Sequence, residues 1–134
     1  MTAKRLTILF SLLLMAMVLA AGCKRTVPVQ NITDNPVPMS EKASSLSKVK
    51  KAITVACAEQ GWVIQGDKKN VIRAKLILRS HEAVVDIPYT AKKFSIIYVS
   101  SSDLAYENGN IHVRYNSWVK NLAKAIELEL SRNG

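Results

Sequence analysis

The chain has 134 residues, a formal net charge of +9 and 49% apolar residues. That is enough for one domain with a core of its own, and it excludes a large enzyme, a repeat array and a multi-span membrane protein. Two cysteines and two histidines leave little material for a metal centre, and no cofactor is expected.

The chain opens with a positive patch, Lys4-Arg5, then an almost wholly apolar run from Leu6 to Ala21. Small residues Ala20, Ala21 and Gly22 follow, and then Cys23. This is the layout of a secretory signal peptide with its cleavage site. The apolar run falls short of the roughly 20 residues that a membrane-spanning helix needs. The segment Leu19-Ala20-Ala21-Gly22-Cys23 resembles the lipobox of bacterial lipoprotein precursors, with Ala20 where Leu is commoner. The resemblance implies cleavage between Gly22 and Cys23 and acylation of Cys23. It also implies retention at the outer membrane, facing the periplasm, because Lys24 replaces the Asp that usually holds such proteins at the inner membrane. Two or more acyl chains anchor stably, at about 0.8 kcal/mol per buried methylene. Loss of residues 1–22 removes Lys4 and Arg5 and leaves 17 basic against 10 acidic residues, or +7.

Residues 23–40 read as the lipidated cysteine and a flexible tether. Pro28, Pro36 and Pro38 oppose a helix, and no periodicity is visible. Such a segment spans roughly 20–25 Å as a coil.

Residues 41–134 read as a single α+β domain. Ser40 is the expected cap of a helix over 41–60, with Leu46, Val49, Ile53, Ala56 and Cys57 on one face. Gly61 suits its left-handed end, followed by Trp62. Lys48, Lys50 and Lys51 fall on the outer face. A short strand over 62–65 leads through a polar turn, 66–70, to alternating strands over 71–79 and 82–89. Pairing about Ser80-His81 sets Leu78 opposite Ala83, Leu76 opposite Val85 and Ala74 opposite Ile87. A fourth strand, 94–101, sets Phe94 beside Tyr89 and Tyr98 beside Val85. Residues 102–115 form a loop or small hairpin, with a turn at Asn108-Gly109. Asn116 or Ser117 is expected to cap a second helix whose apolar face holds Trp118, Leu122, Ala125, Ile126 and Leu130. The expected architecture is two-layered: a four-stranded antiparallel meander with two helices on one face, in the order α-β-β-β-β-α.

Catalytic signatures are missing from the sequence. There is no G-x-S-x-G turn, no phosphate-cradling glycine loop and no metal spacing around His81 or His112. Cys57 reads as a buried core thiol. The Gly61-Trp62 pair and the segment Ile111-His112-x-x-Tyr115-Asn116-x-Trp118 are similar to those of small uncharacterised bacterial envelope lipoproteins. That resemblance implies no activity.

The outer sheet face should show Arg73, Lys75, Ile77, Arg79, Val84, Asp86, Ile97 and Val99. Branched apolar residues there either reflect strand propensity under a covering loop or mark a partner surface. The chain is expected to be a non-catalytic envelope module held by its lipid anchor and docking on another envelope protein. The alternative is a binder of lipopolysaccharide, phospholipid headgroups or wall polymers through its basic clusters. Export removes nucleic acid from consideration.

Overall fold

A computed structural model describes residues 25–38 and 45–132. The signal segment, Cys23, Lys24 and the Ser40 cap lie outside the described residues. The elements are β1 (Thr26–Pro28), β2 (Ile32–Pro36), α1 (Leu46–Glu59), β3 (Val63–Lys68), β4 (Val71–Leu78), β5 (His81–Pro88), β6 (Lys93–Ser102), β7 (Asn110–His112) and α2 (Val113–Arg132). The fold is α+β, with every strand pair antiparallel.

The tether reading fails for residues 25–38. They form β1, paired with β7, and β2, which adds a fifth strand beside β6. The main sheet therefore runs β2-β6-β5-β4-β3. The prolines that suggested a spacer suit edge strands equally well, because an edge leaves some backbone donors unneeded. The segment also carries apolar residues that the core uses. Val37 is buried, and Val29 and Ile32 pack against the core cluster.

Helix α1 begins at Leu46, not at residue 41. Ser45 has an extended backbone, and its hydroxyl accepts from the Lys48 amide at 3.3 Å. Val49, Ala52, Ile53, Ala56 and Cys57 are buried, the 3–4 spacing of one helix face. Leu46, expected on that face, is exposed at the first turn. At the other end Gly61 takes φ +79°. Its N–H donates to Ala58 O at 3.2 Å, and Trp62 N–H donates to Cys57 O at 2.8 Å. These are the two bonds of a Schellman cap. They turn the chain from α1 into β3.

The meander is as expected, but its β4–β5 hairpin is shifted. The turn is Arg79-Ser80, with Arg79 at φ 59°, and Leu78 faces His81. Ala83 therefore meets Leu76, Val85 meets Ala74, and Ile87 meets Ile72. The shift is two residues along the pairing. It leaves each residue that stays paired on its expected face, so the hydrophobic pattern could not detect it. Across the next loop, Tyr89 pairs with Phe94 and Val85 with Tyr98 as expected. A bulge beyond Val85 then moves Val84 opposite Ser100.

Asn108 and Gly109 both have positive φ, and Glu107 and Asn110 exchange two backbone hydrogen bonds of 2.9 Å around them. The small hairpin ends in β7. Helix α2 starts at Val113, three residues before the expected cap, and the His112 Nδ1 accepts from the Arg114 amide at 3.2 Å. Tyr115, Val119, Leu122, Ile126 and Leu130 face the core, with Trp118 half-buried. The core face of the sheet supplies Ile72, Ala74, Val85, Ile87, Phe94 and Ile96, all at 1% exposure or less. Each large side chain buried this way contributes about 1.5–3 kcal/mol relative to exposure. One cluster joins both helices to this face, which leaves the opposite face for function.

Candidate functional site

The opposite face of the sheet carries most of the residues expected there. Arg73 and Ile77 are exposed, Lys75, Asp86, Ile97 and Val99 are half-buried, and Val84 is nearly buried at 9%. Arg79 leaves the face, because the shifted hairpin places it in the turn. Val63 joins the face instead, opposite Lys75 and 61% exposed. Residues 62–65 show too little alternation to reveal this, and only the pairing with β4 assigns the side.

The charges on this face are matched internally. The Arg73 guanidinium makes two hydrogen bonds of 2.8 Å to the Asp86 carboxylate directly across the strand pair. That contact raises the ionisation of Arg73 further above its ordinary value. Lys75 Nζ lies 2.9 Å from Glu82, diagonally across the same pair. Near the β2 edge, Lys93 Nζ lies 2.8 Å from Asp34. Arg73, Lys75 and Lys93 are thus paired within the sheet, while Ile77 (62%) and Val63 stay open. A shallow cleft of about 340 Å³ lies further along the sheet, lined by Gln65, Gly66, Lys68, Val71, Arg73 and Asp86. It sits at the bulge between Ile64 and Gly66, where a Cβ on Gly66 would meet nothing within 4 Å.

A second grouping unites residues that are far apart in the chain. The rings of His81 and His112 stack at 6.4 Å, and Trp118 lies 6.3 Å from His81. Ser80 Oγ hydrogen-bonds the Asp103 carboxylate. His81 Nδ1 lies 2.7 Å from Asp103 O and donates to it when that nitrogen carries the proton. Ser80 and His81 both turn to Asp103 rather than to each other. The arrangement locks the hairpin turn against the loop before β7 and draws no proton from Ser80. Among the described residues, no three metal-ligating side chains converge.

Cys57 lies fully buried in the core, and burial pushes its thiol up to about 12. No helix among the described residues is long and apolar enough to cross a membrane. Comparison with protein-family models, curated proteins and solved structures finds no match for this chain.

Proposed function

We propose that the chain is a lipid-anchored envelope protein that acts by docking on a second envelope protein through the outer face of its sheet. The observation that carries this reading is the composition of that face. Ile77 and Val63 are more than half exposed beside half-buried Ile97 and Val99, and the neighbouring cations are neutralised by their own sheet. Open apolar area with balanced charge suits a protein partner. It does not suit a polyanion, which needs uncompensated cations.

The sequence around Cys23 supports the anchor. Only Lys24 and Arg25 separate Cys23 from β1 at Thr26. On this reading the domain sits directly on the lipid surface, not at the end of a spacer.

Photocrosslinking residues placed at positions 63 and 77 in living cells test the docking. A single adduct of defined mass that disappears in Ile77→Lys supports it; a diffuse ladder, equal to that from a position on the exposed side of α2, overturns it. Mass spectrometry of the mature N-terminus tests the anchor separately. The expected species starts at acylated Cys23, and an unmodified Cys23 still joined to Gly22 would sink it.

A further inference from the structure

The three lysine clusters of the sequence, each unremarkable alone, meet at one end of the domain. Lys50 Nζ on α1 lies 2.6 Å from Asp67 at the end of β3. The Tyr89 hydroxyl, after β5, reaches the same carboxylate at 3.4 Å. The Tyr89 amide donates to Asn70 O in the β3–β4 turn at 3.0 Å, and Tyr89 pairs with Phe94 just past Lys92-Lys93. Lys50 of α1, Lys68 at the end of β3, Lys69 of the turn and Lys92 of the β5–β6 loop therefore lie about one region, and Lys48 and Lys51 add charge on other sides of the same stretch of α1.

Three of the four acids described at this end are ion-paired, and the fourth, Glu127, keeps its charge while accepting from a neutral amide. Asp67 holds Lys50, Asp34 holds Lys93, Glu127 accepts from Asn35 at 2.7 Å, and Glu129 holds Arg132. Among the described residues, Lys48, Lys51, Lys68, Lys69 and Lys92 make no ion pair. Residues 39–44, outside the described residues, add one Glu and one Lys. Two open clefts of about 470 and 350 Å³ flank the Lys69-Asn70 turn and share its two residues and Tyr89. The Lys69-Asn70 turn, with both residues at positive φ, forms the ridge that the two clefts share.

This end also lies away from the start of β1. Val113 N–H donates to Arg25 O at 3.1 Å, Thr26 pairs with His112, and His112 stacks on His81. His81 opens β5 and Pro88 closes it beside Val71, next to the Lys69-Asn70 turn. The eight residues of β5 put about 24 Å between the two ends.

We propose that the lysine end binds an acidic polymer, a chain carrying repeated carboxylate or phosphate groups, laid across the ridge and both clefts. Uncompensated lysines around a ridge suit a flexible chain better than a flat lipid surface. Leu46 is the single large exposed apolar residue among those lining the two clefts, so little is available to enter a bilayer. Binding itself does not depend on the anchor. The orientation rests on the proposed acylation of Cys23, which would turn the lysine end away from the membrane that holds the chain.

The test uses the full mature chain carrying Cys23→Ser, so that no acyl chain enters a bilayer, in detergent-free buffer with three probes: poly-glutamate, long-chain polyphosphate, and vesicles containing phosphatidylglycerol. Binding to at least one polymer is expected, falling by about tenfold or more between 50 and 200 mM salt; which polymer binds more tightly assigns carboxylate or phosphate. The triple variant Lys68→Gln, Lys69→Gln, Lys92→Gln should lose about tenfold or more at low salt. The triple variant Arg79→Gln, Arg114→Gln, Lys120→Gln removes the same charge elsewhere and should bind within about twofold of the parent. Equal losses in the two variants, no polymer binding at low salt, or binding to vesicles alone would each overturn the proposal.

Discussion

The side-chain amide of Asn116 donates to the carbonyl of Pro28 at 2.9 Å, across 88 positions of sequence. Its carbonyl oxygen accepts from the Gln30 amide at 3.0 Å. Asn116 is 7% exposed, so one residue of α2 clamps the chain between β1 and β2. Helix capping, the role its position suggested, falls instead to His112.

Asn116→Ala removes both bonds and leaves two backbone groups without a side-chain partner. The expected loss is about 1–3 kcal/mol, read as a lower urea midpoint. Faster proteolysis between Arg25 and Asn31 should accompany it. Asn116→Asp should be at least as damaging, because a carboxylate would face the Pro28 carbonyl.

Cys57 makes stability depend on alkaline pH. The thiol ionises near 9.0 when exposed and near 12 in the folded core, because burial penalises the thiolate. Below pH 9 both states keep the proton and stability is at its full value. As pH rises through the window between 9 and 12, the unfolded chain releases the proton first, and stability falls. Cys57→Ala should lower stability at pH 7 by about 1 kcal/mol through a methyl-sized cavity, while flattening the decline between pH 9 and 10. Above pH 10, Tyr115 and Tyr89, also raised by burial, should keep the decline going. Denaturant unfolding at stepped pH measures this, and native Cys57 should react with a thiol reagent only on opening.

Gly61→Ala isolates a backbone effect. A Cβ there would meet Leu76 Cδ1 at 3.7 Å, an ordinary contact, but φ is +79°. The cost is therefore conformational, about 1–2 kcal/mol. Gly61→Asn should lose less, since asparagine tolerates the left-handed region better. Thermal unfolding of the two variants gives the comparison.

Lys69 sets stability against the proposed binding. It stands at φ 52°, where a side-chain Cβ is strained and glycine is not. Lys69→Gly should raise stability by up to about 1 kcal/mol while weakening retention on the acidic polymer. Unfolding midpoints and low-salt binding of the same variant would show the opposed changes; a gain in both would place Lys69 outside the binding surface.

Much of the fold was legible because short-range patterns set it. The 3–4 spacing of Val49, Ala52, Ile53 and Ala56 marks α1, Gly61 marks its end, and alternation through Ile72, Ala74 and Leu76 marks β4 and its buried face. The hairpin register was not legible, since a two-residue shift preserves every face. The N-terminal strands were missed because Val29, Ile32 and Val37 show no local period. Their backbone partners, Gly109, Ile96 and Lys92, lie 80, 64 and 55 residues away. Of the candidate surface, Arg73, Lys75 and Ile77 were placed by alternation, whereas Val63 needed its partner strand.

The sequence by itself determined the helices, the meander, which face of β4, β5 and β6 is buried, and a net positive charge with no catalytic signature. Those properties depend on neighbours a few residues apart. Only the tertiary structure decided that residues 25–38 belong to the domain, that Arg73 pairs with Asp86 and Lys75 with Glu82, and that three lysine clusters share one end. These depend on which distant segments hydrogen-bond and on where each turn falls. Periodicity carries no information about either.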